Sequence, residues 1–84
     1  MILHVTSAKY ISDYKIECCF NDGSHGIVDL EGDEIFKISS FKPLKNYENF
    51  KNFKVDYEIN TIVWYNGADL APEYLESKMV VSHK

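Results

Sequence analysis

The side chains that could carry chemistry in this chain are few and scattered. The candidates for acid–base work are His4, Asp56, Asn66 and Asp69. An enzyme needs convergent groups in matched roles, and these residues follow no catalytic spacing pattern. Asp69 is better explained as a turn or cap residue ahead of a helix, and Asp56 as a solvated strand residue. We therefore predict no catalytic residues and no enzymatic activity.

The cysteines and histidines also lack the spacing of a metal site. Cys18 and Cys19 are adjacent, and side chains next to each other on a strand point to opposite faces, so the two thiols do not readily bridge. His4, His25 and His83 stand far apart in the chain. We expect Cys18 to fill the core and Cys19 to face outward or lie at an interface, with no metal and no cofactor. Two free thiols favour a reducing, cytoplasmic compartment.

Length and charge restrict the class of protein. A chain of 84 residues suits one domain, which buries only about 60 to 65% of its unfolded surface. The net charge of −4 is spread over mixed signs, which disfavours direct nucleic-acid contact. We expect no signal peptide, and no stretch approaches the ~18 apolar residues of a membrane span. Five lysines are close in sequence, and we interpret them as part of a solvated linker: Lys37, Lys42, Lys45, Lys51 and Lys54.

The stretch around which we expect the fold to assemble is the predicted strand 61–65. Ile62 and Trp64 share one face of this strand, and Val63 and Tyr65 share the other. Because both faces are apolar, the pattern predicts a central strand that is covered on both sides. The following residues, 66–67, predict a turn, and Pro72 fits the first position of a closing helix.

The remaining elements are predicted from alternation and turn signals. Asp22-Gly23 between two alternating runs indicates a hairpin, and Asn60 suits a second turn because it tolerates a left-handed conformation. Leu44, Tyr47 and Phe50 lie on one face of a predicted short helix. The further predicted strands span residues 2–11, 14–20, 24–30 and 53–57, and an apolar helical turn lies near 35–38.

These elements predict an α+β fold: a single domain over residues 1–77, with a mostly antiparallel sheet of about five strands and two short helices. We expect residues 78–84 to form a flexible tail. The apolar run at 79–81 leaves two alternatives open, which are an edge strand and a contact between two copies of the chain.

Several of these segments together resemble a known family. The chain is similar to the small prokaryotic family called domain of unknown function 2442 over roughly residues 3–76. Asn60 departs from a usual Gly, and Ala71 from a common Asp that would cap the helix. The most specific part is the run Trp64-x-Asn66-Gly67-Ala68-Asp69-Leu70-x-Pro72-Glu73. The other matching segments are Asp13-Tyr14-Lys15-Ile16, Phe20-Asn21-Asp22-Gly23, Val28-Asp29-Leu30, Pro43-Leu44, Phe50, Val55-Asp56 and Thr61-Ile62-Val63.

The resemblance implies a fold and a context rather than an activity. Related domains occur alone, ahead of a helix-turn-helix segment, or beside a second small family in arrangements like toxin–antitoxin pairs. We expect this chain to be too short for a helix-turn-helix of its own. A role in transcription with a partner therefore rests on analogy alone.

We expect a non-catalytic module that binds another small protein, with an antitoxin-like role as its sharper form. The excess of aromatic residues supports this expectation, because aromatic side chains anchor interfaces. The acidic balance would steer the chain toward a basic partner. The predicted partner-binding residues are Trp64, Tyr65, Asn66 and Asp69. The alternative is a small-molecule sensor whose pocket is walled by the turn at 64–67.

Overall fold

The structure is a computed structural model that describes residues 2–81, and within them six strands form two antiparallel sheets. This arrangement confirms the predicted α+β class, with six strands in two sheets in place of about five in one. The strands are β1 (Val5–Ser12), β2 (Lys15–Phe20), β3 (His25–Asp29), β4 (Phe53–Asp56), β5 (Thr61–Trp64) and β6 (Met79–Val81); the helices are α1 (Tyr47–Phe50) and α2 (Pro72–Ser77), with 3-10 turns at Glu34–Lys37 and Lys42–Lys45. The larger sheet has the order β1-β2-β3-β6 and the smaller one pairs β4 with β5.

The β2–β3 hairpin forms where the sequence predicts it. Ile16, Cys18 and Phe20 of β2 are buried, as their alternation indicates. Gly23 adopts φ 87° in the connecting turn, a left-handed conformation that glycine reaches without steric cost. Asp22 closes the turn, because its Oδ1 accepts from the Ser24 N–H at 2.9 Å.

The predicted helix with Leu44, Tyr47 and Phe50 on one face is wrong as a single element. It is split at Asn46, whose backbone is extended (φ −76°, ψ 123°). The Asn46 side chain accepts from the Glu48 N–H at 2.8 Å, so it caps a new helix, α1, rather than continuing the preceding 3-10 turn. Leu44 and Phe50 are buried, whereas Tyr47 is 46% exposed.

β5 is not the central strand that the sequence predicts. Its only strand partner among the described residues is β4. The face with Ile62 and Trp64 is buried as expected, but Val63 on the opposite face is only half-buried, and Tyr65 in the turn after β5 is 59% exposed. The hairpin connection does match the prediction, since Asn60 lies at φ 62°. The alternation of apolar residues correctly predicts which residues of β5 share a face. It wrongly predicts that the face with Val63 is covered as fully as the face with Ile62 and Trp64.

The closing segment begins as predicted and then adds a strand. Pro72 occupies the first turn of α2, and Ala71 at the N-cap makes no side-chain capping bond. Leu75 is buried, which docks this helix on the core. Residues 79–81, within the expected tail, pair antiparallel with β3 as an edge strand; the rest of that tail, residues 82–84, lies outside the described residues.

A single hydrophobic core joins the two sheets. The rings of Phe50 and Trp64 lie 5.7 Å apart between centroids, which connects α1 to β5. Burying large rings gives a small core more apolar area per residue. The fully buried side chains come from both sheets and from the helical segments: Val5, Ile16, Cys18, Val28, Leu30, Leu44, Phe50, Ile62 and Leu75.

Candidate functional site on the outer face of the β4–β5 hairpin

An open groove of about 550 Å³ runs along the β4–β5 hairpin. Lys54 and Val63 face each other across the two strands and share one face of the hairpin. Tyr65, in the turn that follows β5, lines the same groove. The groove therefore lies mainly on the face of the hairpin opposite the core, and Phe53 and Trp64 of the core face also contribute to its lining. Its lining residues are Lys51, Asn52, Phe53, Lys54, Asp56, Val63, Trp64, Tyr65 and Gly67.

Trp64 fixes the backbone beneath this groove. Its indole Nε1–H donates to the carbonyl oxygen of Phe50 at 2.7 Å, and the residue is only 2% exposed. The ring also packs against Phe41 at 5.9 Å and Phe53 at 6.1 Å between centroids. A buried ring that is hydrogen-bonded and packed on several sides has little freedom. The position of the next residue, Tyr65, is therefore well determined.

The turn after β5 is fixed by Asn66. Its Nδ2 donates to the Ser40 carbonyl oxygen at 2.9 Å, and its Oδ1 accepts from the Ala68 N–H at 3.2 Å. Gly67 supplies the left-handed conformation that the turn needs, with φ 87°. The Trp64 N–H closes the turn by donating to the Ala68 carbonyl oxygen at 2.8 Å. These bonds leave Tyr65 at the apex of a constrained loop.

The charges around the groove are mixed, since two lysines and one aspartate line it. The Lys51 ammonium pairs with Glu48 at 3.1 Å, whereas Lys54 is exposed and makes no ion pair with the described residues. Asp56 lies two residues beyond Lys54 on the same face, and its Oδ1 accepts from the Glu58 N–H at 2.9 Å. The Lys54 ammonium is therefore available to an anionic group of a ligand, with the modest strength of a solvent-exposed ion pair.

The four predicted partner-binding residues occupy different places. Trp64 and Tyr65 line the groove; Asn66 and Asp69 do not. Asp69 is exposed and lies opposite Val63 in an isolated bridge, and it does not cap α2, whose N-cap is Ala71.

Sequence reasoning missed the lysines of the groove. Lys51 and Lys54 line it, although the sequence indicated a solvated linker. The usable signal was the alternation of Lys54 with Phe53 and Val55, which places this lysine on the outward face of a strand.

The candidate acid–base residues do not share a site. Asp56 lines the groove, whereas His4 lies ahead of β1, where its backbone N–H donates to Asn21 Oδ1 at 2.8 Å. Residues 2–81 contain no group of three or more His, Cys, Asp or Glu side chains that could hold a metal ion. Burial raises the pKa of Cys18 to about 12, with smaller contributions from Cys19 and Glu17, so this thiol stays protonated at neutral pH. Its side chain acts as core, as the sequence predicts.

A second polar cluster, outside the groove, joins the 3-10 turn at 34–37 to α2. The Asp33 carboxylate accepts from the Tyr74 hydroxyl and from the Ile35 N–H, and it pairs with Lys78 at 3.3 Å. Its side chain is only 4% exposed. Burial acts to raise the pKa of Asp33, but the hydrogen bonds and the Lys78 charge outweigh burial and hold it below the ordinary value of 3.8. Burial and the hydrogen bond to Asp33 raise the pKa of Tyr74 to about 12.

Fold and groove together define a small α+β domain with an exposed aromatic surface. A family model described as "Protein of unknown function (DUF2442)" matches residues 5–80. The chain therefore belongs to this family, as its sequence motifs indicate. Searches of curated proteins and of solved structures give no significant match. Within residues 2–81, no helix has the length and apolar character needed to span a bilayer.

Proposed function

We propose that this protein is a non-catalytic protein-binding module and that its partner, another small protein, docks in the groove of the β4–β5 hairpin. One observation carries the proposal: Tyr65 is 59% exposed while the adjacent Trp64 is 2% exposed. A large amphipathic ring is thus presented to solvent on a backbone that the core holds in place. Anchors of this kind dominate binding energy at interfaces, and a rigid anchor loses little conformational freedom on binding.

The shape of the groove supports a macromolecular partner. It is open along one side rather than enclosed, whereas small-molecule sites commonly bury most of their ligand's surface. An extended segment of another protein can lie along such a face and extend beyond its ends.

An antitoxin-like role, in which the module covers a small toxin-like partner, is the finer form of this proposal. The net charge of −4 would steer the module toward a basic, nucleic-acid-directed protein. Co-expression with each of the proteins encoded by the two flanking genes tests this role. We expect a co-purifying complex and relief of growth inhibition; unrelieved inhibition in the presence of the module would contradict the antitoxin-like role.

The general proposal is tested by selecting binders from random peptides displayed on phage. We expect the wild-type chain to enrich peptides that bind it. The Tyr65→Ala variant should bind the same peptides roughly tenfold or more weakly, since truncating a hot-spot anchor costs about 2 kcal/mol. Tyr57→Ala is the matched control: this tyrosine is 72% exposed and lies outside the groove. Equal enrichment by wild type and Tyr65→Ala would overturn the proposal.

A small-molecule ligand is the second candidate, favoured by the volume of the groove. About 550 Å³ lies within the range of roughly 300 to 1,000 Å³ typical of ligand pockets. A thermal-shift screen against metabolites tests this candidate. A stabilising compound whose effect disappears in Tyr65→Ala would support it, and a screen without such a compound would count against it.

A further inference from the structure

We infer that the groove selects an extended peptide segment in which an apolar or aromatic anchor is followed by an acidic and then a basic side chain, and that Lys54 determines the position of the acidic one. The inference rests on the proposed function and names the chemistry of the partner. Three side chains that line the groove carry it: Tyr65, Lys54 and Asp56.

These three side chains form an ordered row along the hairpin. Lys54 lies directly opposite Val63, and Tyr65 follows two residues after Val63, in the turn that ends β5, so Tyr65 lies on the side of Lys54 away from Asp56. Asp56 follows two residues further along β4, opposite Thr61. Alternate residues of an extended peptide are about 6.5 to 7 Å apart. A peptide lying along β4 therefore presents alternate side chains to Lys54 and Asp56, with its anchor at the end of the segment next to Tyr65.

The charges of the row specify a sequence pattern. Lys54 makes no ion pair with the described residues, so its ammonium is available to a carboxylate of the partner. Asp56 carries the opposite charge and favours a basic or donor side chain two positions later. Tyr65 supplies the apolar contact for an anchor at the start of the segment. The preferred pattern is anchor, acid, base at alternate positions, and its polarity fixes the direction of the bound segment.

Single-stranded nucleic acid is the competing ligand, since it also uses lysines and aromatic rings. Such binding needs several phosphate contacts. Lys51 is already paired with Glu48 at 3.1 Å, and the Asp56 carboxylate would repel a phosphate beside Lys54. The net charge of −4 adds to this repulsion. The groove thus favours a peptide with both signs of charge over a uniformly anionic strand.

Three fluorescein-labelled peptides test the inference. The first carries Phe, Glu and Lys at alternate positions with Thr between them; the second has Gln for Glu; the third has Glu and Lys exchanged. We expect wild type to bind the first peptide roughly fivefold more tightly than the third, an effect that weakens with salt. Lys54→Glu should remove or reverse this preference. Lys9→Glu, an equal change in net charge at an exposed residue outside the groove, should preserve it.

The outcomes distinguish a failure of this charge preference from a failure of the proposed protein-binding function. If Tyr65→Ala abolishes peptide binding while Lys54→Glu and Lys9→Glu behave alike, the charge preference is wrong and the binding module stands. If none of the three peptides binds wild type, or Tyr65→Ala binds them normally, both ideas are wrong. Tighter binding of an oligothymidylate that displaces the first peptide would assign the groove to nucleic acid instead. Circular dichroism of each variant confirms that the exposed substitutions leave the fold intact.

Discussion

The carboxylate of Asp33 accepts hydrogen bonds from Ile35 and Tyr74 and pairs with Lys78. It thereby connects two helical segments that are far apart in sequence, and Lys78 is the residue directly before β6. With the side chain only 4% exposed, this pair is screened less than an ordinary surface ion pair. The cluster holds the closing helix against the 3-10 turn and has no contact with the groove.

Asp33→Asn should therefore lower the free energy of unfolding by about 1 to 3 kcal/mol, because the Tyr74 hydroxyl and the Lys78 ammonium lose a charged partner. Urea denaturation followed by circular dichroism measures this change. Asp29→Asn is the matched control, since Asp29 accepts the same kind of turn bond, from the Glu31 N–H at 3.0 Å, but is exposed. Equal effects of the two substitutions would contradict the role of the cluster.

The stabilisation from Asp33 should depend on pH in a defined direction. Its folded pKa lies below the ordinary value of 3.8, so the folded state binds this proton less readily than the unfolded state. The contribution is complete above the unfolded pKa and is lost as pH falls through the folded pKa. Unfolding measured across acidic pH should show the difference between wild type and Asp33→Asn constant near neutrality and shrinking below about pH 4. A difference that grows toward low pH would contradict this sign.

Among the secondary-structure elements, the sequence predicted the turns and helix starts that depend on neighbouring residues. It did not predict the features that depend on contacts between distant residues. The turns at Gly23 and Asn60 and the start of α2 at Pro72 follow from local backbone preferences, and all three are confirmed. The split at Asn46 was missed because i, i+3, i+6 spacing is also compatible with two short helical turns in succession. The covering of β5 was predicted wrongly because alternation reports only which residues share a face.

β6 depends on a close approach that only glycine allows. A Cβ added at Gly26 would fall against the Val80 carbonyl oxygen and lie 2.9 Å from Met79 Cγ. Gly26→Ala should therefore push β6 away from β3 and destabilise the protein by about 1 to 3 kcal/mol, as overpacking does. Hydrogen exchange at the β6 amides measures the local effect.

Gly23→Ala provides the control for this prediction. A Cβ at Gly23 meets nothing within 4 Å, but the residue has φ 87°, so the substitution costs about 1 to 2 kcal/mol through backbone strain. It should leave the relative protection of β6 unchanged. If Gly26→Ala also left β6 protected, the close packing of β6 on β3 would be wrong.

For the whole molecule, the shared core implies cooperative unfolding. Trp64 of β5 packs on Phe50, and Phe50 packs on Tyr14, which precedes β2, at 5.3 Å between centroids. These rings connect the two sheets. We expect tryptophan fluorescence, which reports on β5, and far-ultraviolet circular dichroism, which reports on all strands, to give the same urea midpoint. Two separated midpoints would mean that the β4–β5 hairpin unfolds as an independent unit.

The arrangement of the strands into two sheets was the least predictable feature of the fold. The sequence predicted the α+β class and most strands, but the pairing of β6 with β3 involves only three residues, which is too short a run for a periodicity signal. The groove was equally hard to predict from the sequence, because it exists only where the face of β5 with Val63 is left uncovered. Trp64 and Tyr65 were found from their residue types, whereas Lys51 and Lys54 required knowledge of which strand face remains open.

The most direct test of the binding face is a ¹⁵N–¹H nuclear magnetic resonance titration with the peptide that carries Phe, Glu and Lys at alternate positions. We expect the largest amide shift changes at Lys54, Val63, Tyr65 and Gly67, which line the groove, and little change along β6. The largest changes on β6 or on the outer face of β1 would contradict the assignment of the β4–β5 groove as the site.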